Sequence, residues 1–219
     1  MRDRSAPLTE ADVASLDWEK MDGLLPALVQ DRRTGQVLML GYMNSEALAG
    51  TLGTGLATFY SRSKERLWQK GETSGNRLKV HGVFADCDDD SLLVLADPEG
   101  PTCHLGTQSC FGAEPTGPGW LSELSDIISE RAALGDASSY TRKLLDEGPE
   151  RIGKKIGEEG VEVALAGVGR DAKGCVEEVA DLLYHVAVLM EARGFSWDDV
   201  VALLRARHAK ASKDRTATS

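Results

Sequence analysis

Hydrophobic positions change their spacing about halfway along the 219-residue chain. In the first half they fall in short blocks: residues 28–30 and 36–40 flank a turn at Thr34-Gly35, and residues 56–60, 78–84 and 91–95 follow at strand length. Short blocks rich in branched and aromatic residues predict strands, the first two joined as a hairpin. Residues 44–52 predict a short helix with Asn44 as its N-cap. In the second half the apolar residues recur at three and four, which predicts helices over 121–134, 138–147, 151–168, 173–192 and 196–208. Between the two patterns Pro115, Gly117, Pro118 and Gly119 gather, a linker signature. The expected architecture is two domains: a mostly-β (α+β) domain over 1–112, a linker over 113–119, and an all-α helical domain over 120–209. Residues 210–219 are polar without apolar periodicity and are expected to be a disordered tail.

Composition narrows the class. With 42% hydrophobic and 27% charged residues, both halves can bury a core, and the length suits two small domains. A formal net charge of -10 argues against unspecific attraction to nucleic acid or to an anionic membrane. No apolar run is long enough to span a bilayer and no signal-like core follows Met1, so a soluble cytoplasmic protein is expected. Four cysteines are too few for a disulfide scaffold and point to metal or catalysis.

Candidate chemistry lies in three clusters. Asp86-Cys87-Asp88-Asp89-Asp90 precedes Cys103-His104 and Cys110. In an extended segment Asp86, Asp88 and Asp90 would face one way and Cys87 the other. The carboxylates suit Mg²⁺, and the thiols of Cys87, Cys103 and Cys110 suit Zn²⁺ with a fourth position open for water. The same residues also read as buried small cysteines beside a solvated acidic turn.

The second cluster joins Ser61-Arg62-Ser63-Lys64 to Trp68, Lys70, Gly71, Glu72, Thr73, Ser74, Gly75 and Asn76. Glycines that admit backbone N–H groups, cations and hydroxyls together suit a phosphate, though not as a Walker loop. A flexible hairpin with surface charge is the plainer alternative. The third cluster is helical: Glu158, Glu159 and Glu162 fall within an arc of about 100°, and Glu178 and Asp181 lie about 60° apart. Were the two helices antiparallel, the acidic edges would face and hold Mg²⁺ for cleaving a nucleoside triphosphate. Acidic helix faces are otherwise simply solvated. Gly160, inside the acidic helix, hints at close packing there. His185, one turn beyond Asp181, reads as a buried hydrogen-bonded histidine within reach of the same site.

The strings that carry these clusters resemble a known family. Residues 37–44, 58–63, 68–76, Asp86-Cys87-Asp88, Cys103-His104-Leu105-Gly106 and Ser109-Cys110-Phe111 resemble phosphoribosyl-AMP cyclohydrolase. Residues 139–145, Ile152-Gly153-Lys154-Lys155, Glu158-Glu159, Glu162 and 178–185 resemble phosphoribosyl-ATP pyrophosphatase of the all-α type, and the order matches the bifunctional fusion. Lys64 and Gly160 stand where the family more often has Arg and Ala.

The resemblance implies a bifunctional hydrolase for the second and third steps of histidine biosynthesis: phosphoribosyl-ATP is cleaved to phosphoribosyl-AMP and pyrophosphate, then the adenine ring is opened by zinc-assisted hydrolysis between N1 and C6. It implies Zn²⁺ on Cys87, Cys103 and Cys110, His104 as a base, and Mg²⁺ on Asp86, Asp88 and Asp90. In the second domain it implies Mg²⁺ on Glu158, Glu159, Glu162, Glu178 and Asp181, with Arg131, Lys154 and Lys155 on phosphates. It also implies a homodimer in which Cys87 of one subunit meets Cys103 and Cys110 of the other. A zinc-stabilised binding module with a helical dimerisation domain accounts for cysteines and helices, but not for residues 68–76 beside the aspartates. A pyrophosphatase for other triphosphates is a further alternative for the second half.

Overall fold

The computed structural model describes residues 3–112, 114–115, 117–134, 138–169 and 171–216, with side chains as far as residue 209. The chain divides into two compact units, Met1–Gly119 and Trp120–Ser219.

The first unit contains β1 (Leu25–Asp31), β2 (Val37–Met43), α1 (Ser45–Thr54), β3 (Thr58–Ser61), β4 (Arg66–Gln69), β5 (Leu78–Ala85) and β6 (Leu92–Pro98), preceded by two short 3₁₀ turns. Four strands form one sheet in the order β2-β1-β6-β5. β1 pairs antiparallel with β2 and parallel with β6, while β5 returns antiparallel on β6. Alternation decides the buried face: Leu25, Ala27 and Val29 on β1, and Leu92, Val94 and Ala96 on β6, point into the core. Each large side chain so buried contributes about 1.5–3 kcal/mol. The hairpin turn is held by the buried Asp31, whose carboxylate accepts from the N–H groups of Arg33 and Thr34. Asn44 caps α1 by accepting from the Ala47 N–H. The β3–β4 ribbon packs on β2 at Gly41, where a Cβ would lie 2.4 Å from the Phe59 ring, and Phe59 in turn meets Trp68 at 5.2 Å between centroids.

The second unit is helical: α2 (Trp120–Leu134), α3 (Tyr140–Glu147), α4 (Pro149–Gly169), α5 (Ala172–Arg193) and α6 (Trp197–Thr216). Its core gathers Ile128, Leu144, Ile152, Ala187 and Val188, with Trp197 packed on it and donating to the Leu121 carbonyl. Asp171 caps α5 by accepting from the Gly174 N–H, so α4 and α5 form a hairpin with almost no connection. No helix of the described residues is long and apolar enough to cross a membrane.

The two-domain, mostly-β then all-α fold class stands, with three local corrections. Residues 66–69, where the sequence pattern predicts no strand and an anion-binding loop begins at Trp68, form β4, because Leu67 and Trp68 reach the core that the rest of the ribbon covers. The expected disordered tail is helical as far as Thr216; Ala211, Lys213 and Arg215 are good helix formers that extend an existing helix without a new nucleus. Residues 217–219 lie outside the described residues. Gly160 meets nothing within 4 Å of where a Cβ would stand, so it marks no close approach.

Candidate functional site

The acidic stretch of the first unit is a turn between β5 and β6, not the extended segment its alternation suggests. Asp86 accepts from the N–H groups of Asp90 and Ser91 and from the Ser91 hydroxyl, and Asp89 has a left-handed backbone with φ of 59°. This closure, rather than strand alternation, brings one oxygen each of Asp86, Asp88 and Asp90 within 4.8 Å of one another. Lys20 pairs with both Asp88 and Asp90. Its ammonium, through hydrogen bonding, holds the Asp88 carboxyl below the usual range. Cys87, at the same turn, is exposed.

The residues 101–111 form a loop docked on β2: the Cys110 N–H donates to the Leu38 carbonyl and the Ser109 hydroxyl to that of Val37. Docking turns Cys103, His104 and Cys110 toward the segment 68–76. Together they line a cleft of about 530 Å³. Of the anion-loop residues, Trp68, Lys70, Gly71, Glu72, Thr73, Ser74 and Asn76 line it; Gly75 and Ser61 do not. Arg62 lies apart with its guanidinium 3.9 Å over the Tyr42 ring. Glu72 is tied to Arg66 at 2.6 Å, which lowers its carboxyl. Lys70 donates to the Asn76 carbonyl, and burial lowers its ammonium.

The thiols of Cys103 and Cys110, both lining the cleft, have opposite shifts. The Leu105 N–H and then the Thr107 hydroxyl favour a Cys103 thiolate, whereas desolvation and then the charge of Cys103 push Cys110 up. His104 Nδ1 is 3.9 Å from the Cys103 sulfur. Cys87 does not line the cleft, and among the described residues no cluster of three potential ligands contains a cysteine.

In the second unit α4 and α5 face their acidic edges. Oxygens of Glu159, Glu178 and Asp181 lie within 4.8 Å of one another, and Glu159 is buried. Glu162 joins them: the charges of Glu159 and then Glu178 raise its carboxyl. Glu158 stands aside, paired with Lys155 at 2.9 Å and facing Lys154 at 3.9 Å. Lys155 also bonds Glu159 at 3.0 Å. Arg131 is exposed in the last turn of α2.

Several residues at these sites carried no sequence signal. Lys20 reaches the aspartates from a distant 3₁₀ turn, and Met39 and Thr102 line the cleft from β2 and the docked loop. Thr102 is buried, and its hydroxyl has no hydrogen-bond partner. Only tertiary contact reveals such positions.

Comparison with known proteins matches both units. The family model for phosphoribosyl-AMP cyclohydrolase covers residues 39–112, and that for phosphoribosyl-ATP pyrophosphohydrolase covers residues 121–208. The chain is 56% identical over 195 residues to the histidine biosynthesis bifunctional protein HisIE of Xanthomonas campestris, covering 89% of this chain and 93% of the relative. The proteins of that name from Escherichia coli and Yersinia pestis are 52% and 49% identical, covering 92% and 93% of this chain and 99% and 100% of theirs. With both domains matched in order along nearly full-length relatives, the chain belongs to the bifunctional HisIE family of histidine-biosynthesis hydrolases, a cyclohydrolase followed by a pyrophosphohydrolase.

Proposed function

We propose that the second unit cleaves phosphoribosyl-ATP with Mg²⁺ and the first opens the ring of the resulting phosphoribosyl-AMP with Zn²⁺. The cleft carries this reading, because two thiols and an anion-binding loop face one space large enough for a nucleotide. The donors fit zinc: Cys103 and Cys110 both line the cleft, and sulfur is a preferred zinc ligand. A third thiol, Cys87, is exposed at another edge of the same unit, which suits a homodimer whose zinc site takes Cys87 from a second copy. A bound Zn²⁺ supplies Lewis acidity that makes water a nucleophile near neutral pH.

The chain's own groups do the rest. His104 accepts the proton of the water that adds to C6 of adenine, after which the N1–C6 bond breaks. Lys70, Gly71, Glu72, Thr73, Ser74 and Asn76, which line the cleft, hold the phosphoribosyl ends, and Asp86, Asp88 and Asp90 would hold Mg²⁺. In the second unit Glu159, Glu178, Asp181 and Glu162, with Glu158, hold Mg²⁺ while Lys154, Lys155 and Arg131 neutralise phosphates. A reducing cytoplasm would keep the four free thiols available.

The test gives purified protein phosphoribosyl-ATP with both metals and follows pyrophosphate release and ring-opening absorbance together. Cys103→Ser is expected to lose zinc and ring opening while pyrophosphate release continues. Loss of both activities in a folded variant would remove the two-site reading.

A further inference from the structure

Two side-chain hydrogen bonds run in parallel from the first turn of α3 to α5. The Thr141 hydroxyl lies 2.8 Å from that of Tyr184, and the Tyr140 hydroxyl lies 3.1 Å from His185 Nε2. The other ring nitrogen of His185 is 2.8 Å from the main-chain carbonyl of Asp181. A carbonyl only accepts, so the proton sits on Nδ1, and in the neutral ring Nε2 must accept from the tyrosine. Tyr140 and Tyr184 also meet the His185 ring edge-on, at 6.0 and 5.3 Å between centroids.

The imidazole held this way is buried against the acidic cluster. His185 is 5% exposed, and its Nδ1 lies 3.8 Å from Glu159 Oε1, beyond hydrogen-bond distance. Because the Nδ1 proton is given to the Asp181 carbonyl, His185 makes no hydrogen bond to the Glu159 carboxylate, whose Oε1 is bonded instead by Lys155. The same bond fixes the turn of α5 from which the Asp181 side chain projects.

We propose that Tyr140 is a positioning residue of the pyrophosphohydrolase site: through His185 it fixes the turn of α5 that carries Asp181 beside Glu159, in the arrangement that binds the divalent cation. This rests on the metal reading of the acidic cluster. Outer partners of this kind hold ligands in place, and their loss typically weakens metal binding about 10-fold or more.

The test uses the full chain with ¹⁵N-labelled histidine, in which only four histidines need assignment. Mn²⁺ is titrated while broadening of the His185 ring signals reports occupation of the neighbouring site. Tyr140→Phe removes one hydroxyl and keeps the ring. It is expected to keep the Nδ1–H form, which the Asp181 carbonyl holds, to move the ¹⁵N signal of the now unbonded Nε2 from its native position, and to raise the Mn²⁺ needed for half-broadening about 10-fold. Its requirement for Mg²⁺ in pyrophosphate release should rise in step, with ring opening unchanged. Thr141→Val cuts the parallel bond without touching His185 and should leave both readouts alone.

An unchanged Nε2 signal and Mn²⁺ response in Tyr140→Phe would overturn the proposal, as would equal weakening by Thr141→Val, which would make the bonds a simple α3–α5 clamp. Glu159→Gln separates the underlying reading: if it leaves Mn²⁺ broadening intact, the metal site itself is wrong. Should it abolish broadening while Tyr140→Phe does nothing, only the positioning role fails.

Discussion

Lys20 reaches 68 residues along the chain to pair with Asp88, and the same ammonium pairs with Asp90. Two of the three carboxylates that could hold a divalent cation at this turn therefore already share the protein's own cation, which cancels one of their two charges. An ion that binds there must displace it, because the two positive charges compete for the same oxygens. Replacing Lys20 by Met should tighten Mn²⁺ binding at this turn, by about fivefold at most because the pair is exposed to solvent. Titration followed by Mn²⁺ electron resonance, with Asp88→Asn as the control that removes the site, checks it. Weaker binding in the Lys20 variant would show that the lysine organises the turn instead of competing for it.

The separation of Cys87 from the cleft gives a sharper test of the shared zinc site. Cys87→Ser and Cys103→Ser homodimers should each be inactive in ring opening. When the two are unfolded, mixed and refolded, half the dimers pair one of each, and in these one site receives its three intact cysteines. The mixture should regain about a quarter of the native ring-opening activity, with zinc content to match. A site built within one chain would regain none.

Which parts were legible in the sequence follows from how local the signals are. Helices α1 to α6 and strands β1, β2, β3, β5 and β6 are visible because amphipathic spacing and caps such as Asn44 act over a few residues. β4 was hidden, since the polar run from Gln69 to Asn76 looked like a loop and only packing of Trp68 on Phe59 extends a strand into it. At the acidic turn the residue types point to a cation, but strand alternation does not make them converge: Asp86 closes the turn with its side chain. Lys20 and the Tyr140–His185 contact depend on chain segments far apart in sequence, and no local pattern encodes them.

Crowding of charge on α4 and α5 predicts an inverse effect of one substitution on stability and on binding. Glu159 and then Glu178 raise the Glu162 carboxyl. For an acid whose folded value is raised, the folded state is favoured below the unfolded value, and that advantage is lost as pH rises through the folded one. In the metal-free protein the repulsion therefore grows as pH rises. Glu162→Gln should melt higher than the native protein in EDTA at pH 7 and gain less from added Mg²⁺. The difference in EDTA should shrink as pH falls into the carboxylate range. Thermal melts at several pH values measure it; a lower melting temperature in EDTA would mean that Glu162 is held by favourable contacts.

Gly71 and Gly75 separate backbone strain from shape at the cleft. Both have left-handed backbones, with φ of 83° and 80°. A side chain at either carries about 1–2 kcal/mol of conformational cost. At Gly75 a Cβ would meet nothing within 4 Å, whereas at Gly71 it would lie 2.6 Å from the carbonyl carbon and oxygen of Asn76. Main-chain atoms cannot swing aside as a flexible side chain can, so Gly71→Ala must move the segment 71–76 and with it the Lys70 to Asn76 hydrogen bond. Gly75→Ala should lower the urea midpoint modestly and leave ring opening within about twofold of native, because only the strain term acts. Gly71→Ala should lower the midpoint further and reduce ring opening at least about tenfold, since a misplaced positioning loop is costly to rate. Pyrophosphate release should be unchanged in both. Equal ring-opening losses in the two variants would show that flexibility of the loop, and not the close approach at Gly71, sets the shape of the cleft.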